Sequence, residues 1–338
     1  MAHTCLKTPT LLKKHWLLLL KVVVLAVSLW VLYDKLVIDG GTTSVSIQGH
    51  HFIALLSNPM LGGVVLLMCL NWSIEALKWK LLINRFEQVS FLTAIKSVCT
   101  GVFISLFVNI LVPNRIGEFA GRIIYVKINK IKAALITTIG SYAQFAATAI
   151  FGAIAYLLFW HTFSASQWEE YQGYLLIATV AFVGLLIPLL YFNINVVSWV
   201  LGKPKLLRRF KKITSVFYFY NNVLLLKVFV LAVLRYAVFC TQFILLLQLC
   251  GVQITPSQGL LAVPVIFLVQ TVVPSNALSD LGVRGAASVS FLNYYSDNNT
   301  GILTAAYLLW GINILLPGLL GAAFFAVFKY RNGNGSNQ

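Results

Sequence analysis

The chain has 338 residues, of which 59% are apolar and only 10% charged, and it carries a formal net charge of +16. A soluble domain has about 25% charged residues, so this composition excludes an ordinary water-soluble fold and describes an all-α polytopic membrane protein. The positive charge is no nucleic-acid signal. The lysines and arginines cluster beside apolar runs without aromatic-rich groove segments, as cytoplasmic loops of membrane proteins do.

A helical crossing needs about 20 apolar residues. The first candidate, 16–33, follows Lys7, Lys13 and Lys14. It is longer than the apolar core of a signal peptide, and Asp34-Lys35 follows it instead of a cleavage site, so it is read as a retained span. The next is 59–79, with Glu75 near its inner end, where Lys78 or Lys80 is the expected partner. The apolar region 91–126 breaks at Pro113 inside a polar cluster of Asn109, Asn114, Arg115, Glu118 and Arg122. Spans at 133–160 and 174–194 follow, joined by a loop with Glu169-Glu170. The basic run from Lys203 to Lys212, then Phe217-Tyr218-Phe219-Tyr220, predicts an interfacial segment over 203–220. Its aromatics would lie at headgroup level and its lysines against anionic lipid. A span at 228–250 contains Arg235. Region 258–292 breaks at Pro274 among Gln270, Ser275, Asn276, Ser279, Asp280 and Arg284. The last span is 302–328.

The basic clusters decide how the two broken regions are drawn. A single crossing at 91–126 would put Lys80/Arg85 and Lys127/Lys130/Lys132 on opposite sides, against the preference of basic loops for the cytoplasm. A hairpin that enters and returns keeps both inside. By the same logic 258–292 is a hairpin entering from outside, with both chain termini cytoplasmic. The expected fold is therefore about six full transmembrane helices plus two re-entrant helical hairpins, in one transmembrane domain covering 1–338. Units 59–160 and 228–328 would form an inverted repeat, an arrangement typical of transporters.

The two breaks carry a doubled motif. Val112-Pro113 leads to Glu118 and Arg122, and Val273-Pro274 leads to Asp280 and Arg284. Each acid precedes its arginine by four residues, which puts both on one helix face in the favourable order. Simple intrahelical neutralisation explains one such pair. Two pairs on matching broken segments favour a shared polar site, because charges beside apolar runs are costly. Arg115, Arg122 and Arg284 would bind phosphate, which a guanidinium matches bidentately. Glu118 and Asp280 would be counter-charges, with Asn114 and Asn276 beside them. Arg235 either snorkels or lines the same cavity. Gly117, Gly121, Gly282 and Gly285 are read either as close-approach or as turn residues.

Catalytic chemistry has little support. The five cysteines and five histidines are dispersed, without metal-ligand spacing. Neither a zinc-protease motif, a nucleophile elbow nor a P-loop is present. No catalytic residue, metal or cofactor is expected.

The stretch Pro113-Asn114-Arg115-Ile116-Gly117-Glu118 with Arg122, and the weaker Leu281-Gly282-Val283-Arg284, resemble the flippase-like transmembrane family, the membrane region of lysylphosphatidylglycerol synthases. The resemblance covers roughly residues 10–330. The family often has Glu directly after the second arginine, where this chain has Gly285; Asp280 is the carboxylate one turn earlier. The soluble aminoacyl-transfer domain of the synthases is missing from the sequence, so lipid synthesis is not expected. What the resemblance implies is translocation of a membrane phospholipid or polyprenyl-phosphate lipid across the cell membrane. Two alternatives are a membrane enzyme modifying lipid or glycolipid headgroups and a scaffold for a separate lipid-modifying enzyme. A homo-oligomer is compatible with each, and nucleic acid with none.

Overall fold

The computed structural model describes residues 57–108, 117–163, 170–193, 215–273 and 277–334. The predicted span 16–33, the run Lys203 to Lys212, and the two proline breaks with Asn114, Arg115 and Asn276 lie outside the described residues. Those described are helical and contain no strand. The elements are α1 (Pro59–Ile83), α2 (Phe91–Val108), α3 (Gly117–Ile124), α4 (Lys130–Phe163), α5 (Glu170–Phe192), a 3-10 turn (Ser215–Phe219), α6 (Asn222–Leu249), α7 (Pro256–Val272), α8 (Ala277–Leu292), α9 (Asn299–Trp310), a π-helical turn (Gly311–Leu315) and α10 (Leu316–Asn334).

Four helices are long and apolar enough to cross a membrane: α1, α4, α6, and the continuous run from Asn299 to Phe328. They coincide with the predicted spans 59–79, 133–160, 228–250 and 302–328. The predicted span 174–194 falls on α5. Side-chain orientation supports a lipid surround. On α1, Leu66, Leu70 and Leu77 face outward, while Asn71, Glu75 and Lys78 are buried. On α6, Leu226, Val230 and Leu234 are exposed, and Gln242 is fully buried. A water-soluble bundle does the reverse, hiding its leucines and exposing its charges.

Local chemistry sets the helix starts. Thr255 and Gln258 form a reciprocal capping box before α7, with Pro256 at the first helical position. Asn58 caps α1 in front of Pro59, and Asn298 caps α9. Two side chains near helix ends, Asn298 and Glu87, close hairpins. Asn298 Nδ2 donates to the carbonyls of Cys250 and Gly251, at 3.4 and 3.2 Å. The chain entering α7 and the chain leaving α8 are thus tied together. Glu87 does the same for α2 and α3: its Oε2 accepts from the backbone N–H groups of Lys127 and Ile128, at 2.7 and 3.1 Å.

Helix α3 runs antiparallel along α2, with Gly121 against Gly101 and Gly117 against Ser105. A Cβ at Gly121 would collide with the Gly101 backbone, so glycine is what allows the two helices to touch. Helices α1 and α6 are also antiparallel: Gln242 Nε2 donates to the Val64 carbonyl, and Tyr220 Oη to that of Leu82. The base of the α2–α3 hairpin follows the end of α1. That of the α7–α8 hairpin follows the end of α6. The two bases therefore lie at opposite ends of the bundle. Helix α4 spans between them. It packs on α6 and α7 along its middle and meets α8 through the Phe159–Phe291 ring contact. Helix α10 returns antiparallel along α2, with Gly321 on the Cys99 carbonyl.

The aromatic segment is split between the surface and the interior. Tyr218 and Phe219 are exposed, but Phe217 and Tyr220 are buried. They turn inward because Tyr220 finds the Leu82 carbonyl and packs beside Phe86.

Candidate functional site

Asn71, Glu75 and Lys78 recur at helical spacing on α1, so they share the face that looks into the bundle. Glu75 lies eight residues before the end of α1, about 12 Å along the axis at 1.5 Å per residue. It is ion-paired with three cations. Lys78 Nζ is 2.6 Å from Oε2, Arg122 Nη2 is 2.8 Å from Oε1, and Arg235 Nη1 is 3.2 Å from Oε2. Arg122 also reaches back one turn of α3 to Glu118 Oε2 at 3.2 Å. Glu75, Lys78 and Arg122 are almost wholly buried, and Arg235 and Glu118 are partly so.

Three cations against two carboxylates leave these five side chains with one excess positive charge. Each buried ion loses several kcal/mol of hydration, which only close partners offset. Glu75 is therefore the element that keeps Lys78, Arg122 and Arg235 inside one bundle. The Nε of Arg122 is buried and has no hydrogen-bond partner among the described residues. The guanidinium thus keeps donor capacity beyond what Glu75 and Glu118 use.

Arg235 is held from two further directions. Its Nη1 donates to Gln144 Oε1 at 3.4 Å, and its guanidinium lies 5.3 Å from the Trp72 ring centroid, within cation–π range. Trp72 Nε1 donates to the carbonyl of Asn313, and Asn71 Nδ2 donates to the Asn313 side-chain oxygen at 2.9 Å. Asn313 sits in the π-helical turn of the last span. A π turn widens the helix and leaves carbonyls askew; here the Asn313 carbonyl is taken by Trp72. A connected set of polar contacts thus runs from the last span through α1 to the Glu75 cluster.

The second motif forms its own pair. Arg284 Nη2 is 3.4 Å from Asp280 Oδ2 on α8, and Arg284 is buried with its Nε unpartnered among the described residues. No ion pair there joins Asp280 or Arg284 to Glu75, Lys78 or Arg122.

Of the residues singled out from sequence, Glu118, Arg122 and Arg235 come together. Asp280 and Arg284 pair with each other. Arg115, Asn114 and Asn276 lie outside the described residues. Of the two readings of Arg235, the structure supports the inward one: it turns toward Glu75 and Gln144. Glu75 does meet Lys78 as expected, but as a shared hub and not as a simple pair at the interface. Its importance was signalled by Asn71, Glu75 and Lys78 on one face of an otherwise apolar span. Gln144 and Asn313 carry the same signal, as amides within long apolar stretches. No family model, curated protein or solved structure matches the chain.

Proposed function

We propose that this chain is a flippase-like lipid translocase of the cytoplasmic membrane. It moves a phosphate-bearing headgroup between leaflets through a polar interior. The observation that carries the reading is the buried cluster in which Glu75 binds three cations from both halves of the chain, with positive charge in excess. A charge set of this kind within apolar spans is expensive to maintain and marks a pathway for ions or headgroups.

The hairpin geometry supports it. Helix α7, capped by Thr255 and Val273, has 17 residues, about 26 Å at 1.5 Å per residue. That is short of a full crossing of about 30 Å. With bases at opposite ends of the bundle, the pairs α2–α3 and α7–α8 are read as re-entrant hairpins of an inverted repeat. Both termini are then cytoplasmic, and the chain is placed with the flippase-like family that its first motif resembles. Arg122 and Arg235 bind the phosphate, with Arg284 further along the path. The substrate is a phospholipid or a polyprenyl-phosphate lipid, and no covalent step is involved.

Purified protein in liposomes, with fluorescent lipid and a membrane-impermeant quencher, tests this. Wild type should make inner-leaflet lipid accessible well above protein-free vesicles, and Arg122→Ala/Arg235→Ala should fall to background. Equal movement by both proteins, or none by wild type, would refute the proposal.

A further inference from the structure

The π-helical turn divides the last span between two parts of the bundle. Before the turn, α9 packs on α6 and α8; after it, α10 packs along α2. Helix α10 is fastened to the first hairpin at several levels. Thr100 Oγ1 lies 3.5 Å from the Gly321 carbonyl oxygen, and Phe103 packs on Phe325. Tyr125, at the end of α3, shares a 3.1 Å hydrogen bond with Thr100 and packs on Phe328. Helices α2, α3 and α10 thus form one body.

The turn itself is built to bend. In an α-helix the Asn313 carbonyl would accept from residue 317, but Pro317 has no N–H to give. That carbonyl accepts instead from Trp72 Nε1 of α1 at 3.1 Å, and Asn313 Oδ1 accepts from Asn71 at 2.9 Å. Proline and π turns are recognised causes of helix kinks. Gly311 leaves room for one, since a Cβ added there would meet nothing within 4 Å. Polar links tie the body to a single turn of α1: Asn313 to Asn71 and Trp72, and Arg122 to Glu75. The Trp72 ring also faces the Arg235 guanidinium, so one indole touches both the hinge and the charged cluster.

We propose that residues 311–317 are a hinge on which α2, α3 and α10 swing as one body. Its latch is the pair of bonds from Trp72 and Asn71 to Asn313. The proposal rests on the transport reading for what the motion serves. An anion that takes Arg122 from Glu75 breaks one link between the body and α1, and the latch then holds alone. Opening the latch carries Arg122, with the bound anion, away from α1.

Spin-label distances in lipid nanodiscs test this at exposed sites. Leu226 on α6 and Val327 on α10 report across the hinge, and Leu92 on α2 with Leu319 on α10 report within the body. Trp72→Phe/Asn313→Leu removes both latch bonds and keeps an aromatic ring beside Arg235. At about fivefold per hydrogen bond, it should raise the ratio of displaced to native Leu226–Val327 distance about 25-fold over wild type. The Leu92–Leu319 distance should stay in place. Adding Pro317→Ala returns an N–H to the Asn313 carbonyl and should bring the native distance back. An unshifted Leu226–Val327 distribution overturns the proposal. So does an equal shift in Leu92–Leu319, or a shift that Pro317→Ala does not reverse. Should the double variant fail to fold, Trp72→Phe alone must displace Leu226–Val327 by its fivefold share; if it does not, the proposal falls. Lipid movement measured on the wild-type preparation separates the two ideas. A shift reversed by Pro317→Ala, without lipid movement by wild type, refutes transport alone. Lipid movement by wild type, with no shift in the variants, refutes the hinge alone.

Discussion

Replacing Glu75 with alanine should be among the most damaging single changes in the bundle, and the structure says where the loss falls. Arg122 keeps Glu118, and Arg235 keeps Gln144 and the Trp72 ring. Lys78, at 1% exposure, keeps no ion pair among the described residues. Removing one partner of a buried ion pair costs about 3–5 kcal/mol, so about 4 kcal/mol is expected for Glu75→Ala. Glu118→Ala is the control. Its side chain is partly exposed and Arg122 retains Glu75, so about 1 kcal/mol is expected. The difference, about 3 kcal/mol, is on the order of a hundredfold in the unfolding constant. Reversible denaturation from neutral detergent, followed by tryptophan fluorescence, reads it directly, because Trp72 and Trp79 are buried on the same helix. Adding Lys78→Met to Glu75→Ala should restore about 2 kcal/mol by removing the orphaned ammonium. If Glu118→Ala costs as much as Glu75→Ala, or if Lys78→Met restores nothing, Glu75 is not the hub.

The other expectations concern the frame around the cluster. Asn313→Leu removes the side-chain bond from Asn71 and should cost about 2 kcal/mol by leaving a buried amide unpaired; Asn71→Leu/Asn313→Leu should cost less than the two single changes summed, and strict additivity in that cycle would argue against the contact. Gly121→Leu pushes a side chain into the Gly101 backbone and should separate α3 from α2, a loss of at least about 2 kcal/mol as overpacking goes, visible as a lowered melting temperature; an unchanged melt would contradict the close approach. With the natural cysteines replaced, single cysteines at Lys127 and Asp297 should react with an impermeant maleimide from opposite faces of oriented vesicles, and labelling from one face would remove the inverted arrangement.

Much of the fold was legible because its signals are local. Length and hydropathy alone locate four spans that the structure contains, since a crossing is set by consecutive apolar residues. The acid–arginine spacing predicts the Glu118–Arg122 and Asp280–Arg284 pairs, both of which form, because i, i+4 neighbours meet on any helix. The inward turn of Phe217 and Tyr220 was less legible. It depends on the Leu82 carbonyl and the Phe86 ring, which adjacency in sequence does not bring near. The π turn at Asn313 was not legible either, because its carbonyl is satisfied by an indole from α1.

By itself the sequence determined that this is a helical, membrane-embedded chain, where its spans fall, and that charged residues were kept where charge is costly. Those properties follow from composition and from spacing along one helix. Only the tertiary structure decided which charges share a partner. Arg122 stands 47 residues from Glu75, and Arg235 comes from the other half of the chain. They converge because antiparallel packing of α1 on α6, and glycine-mediated contact of α3 with α2, turn three separate helix faces toward one carboxylate. Which faces meet depends on the shapes of all the helices together, and that information is not present in any one of them.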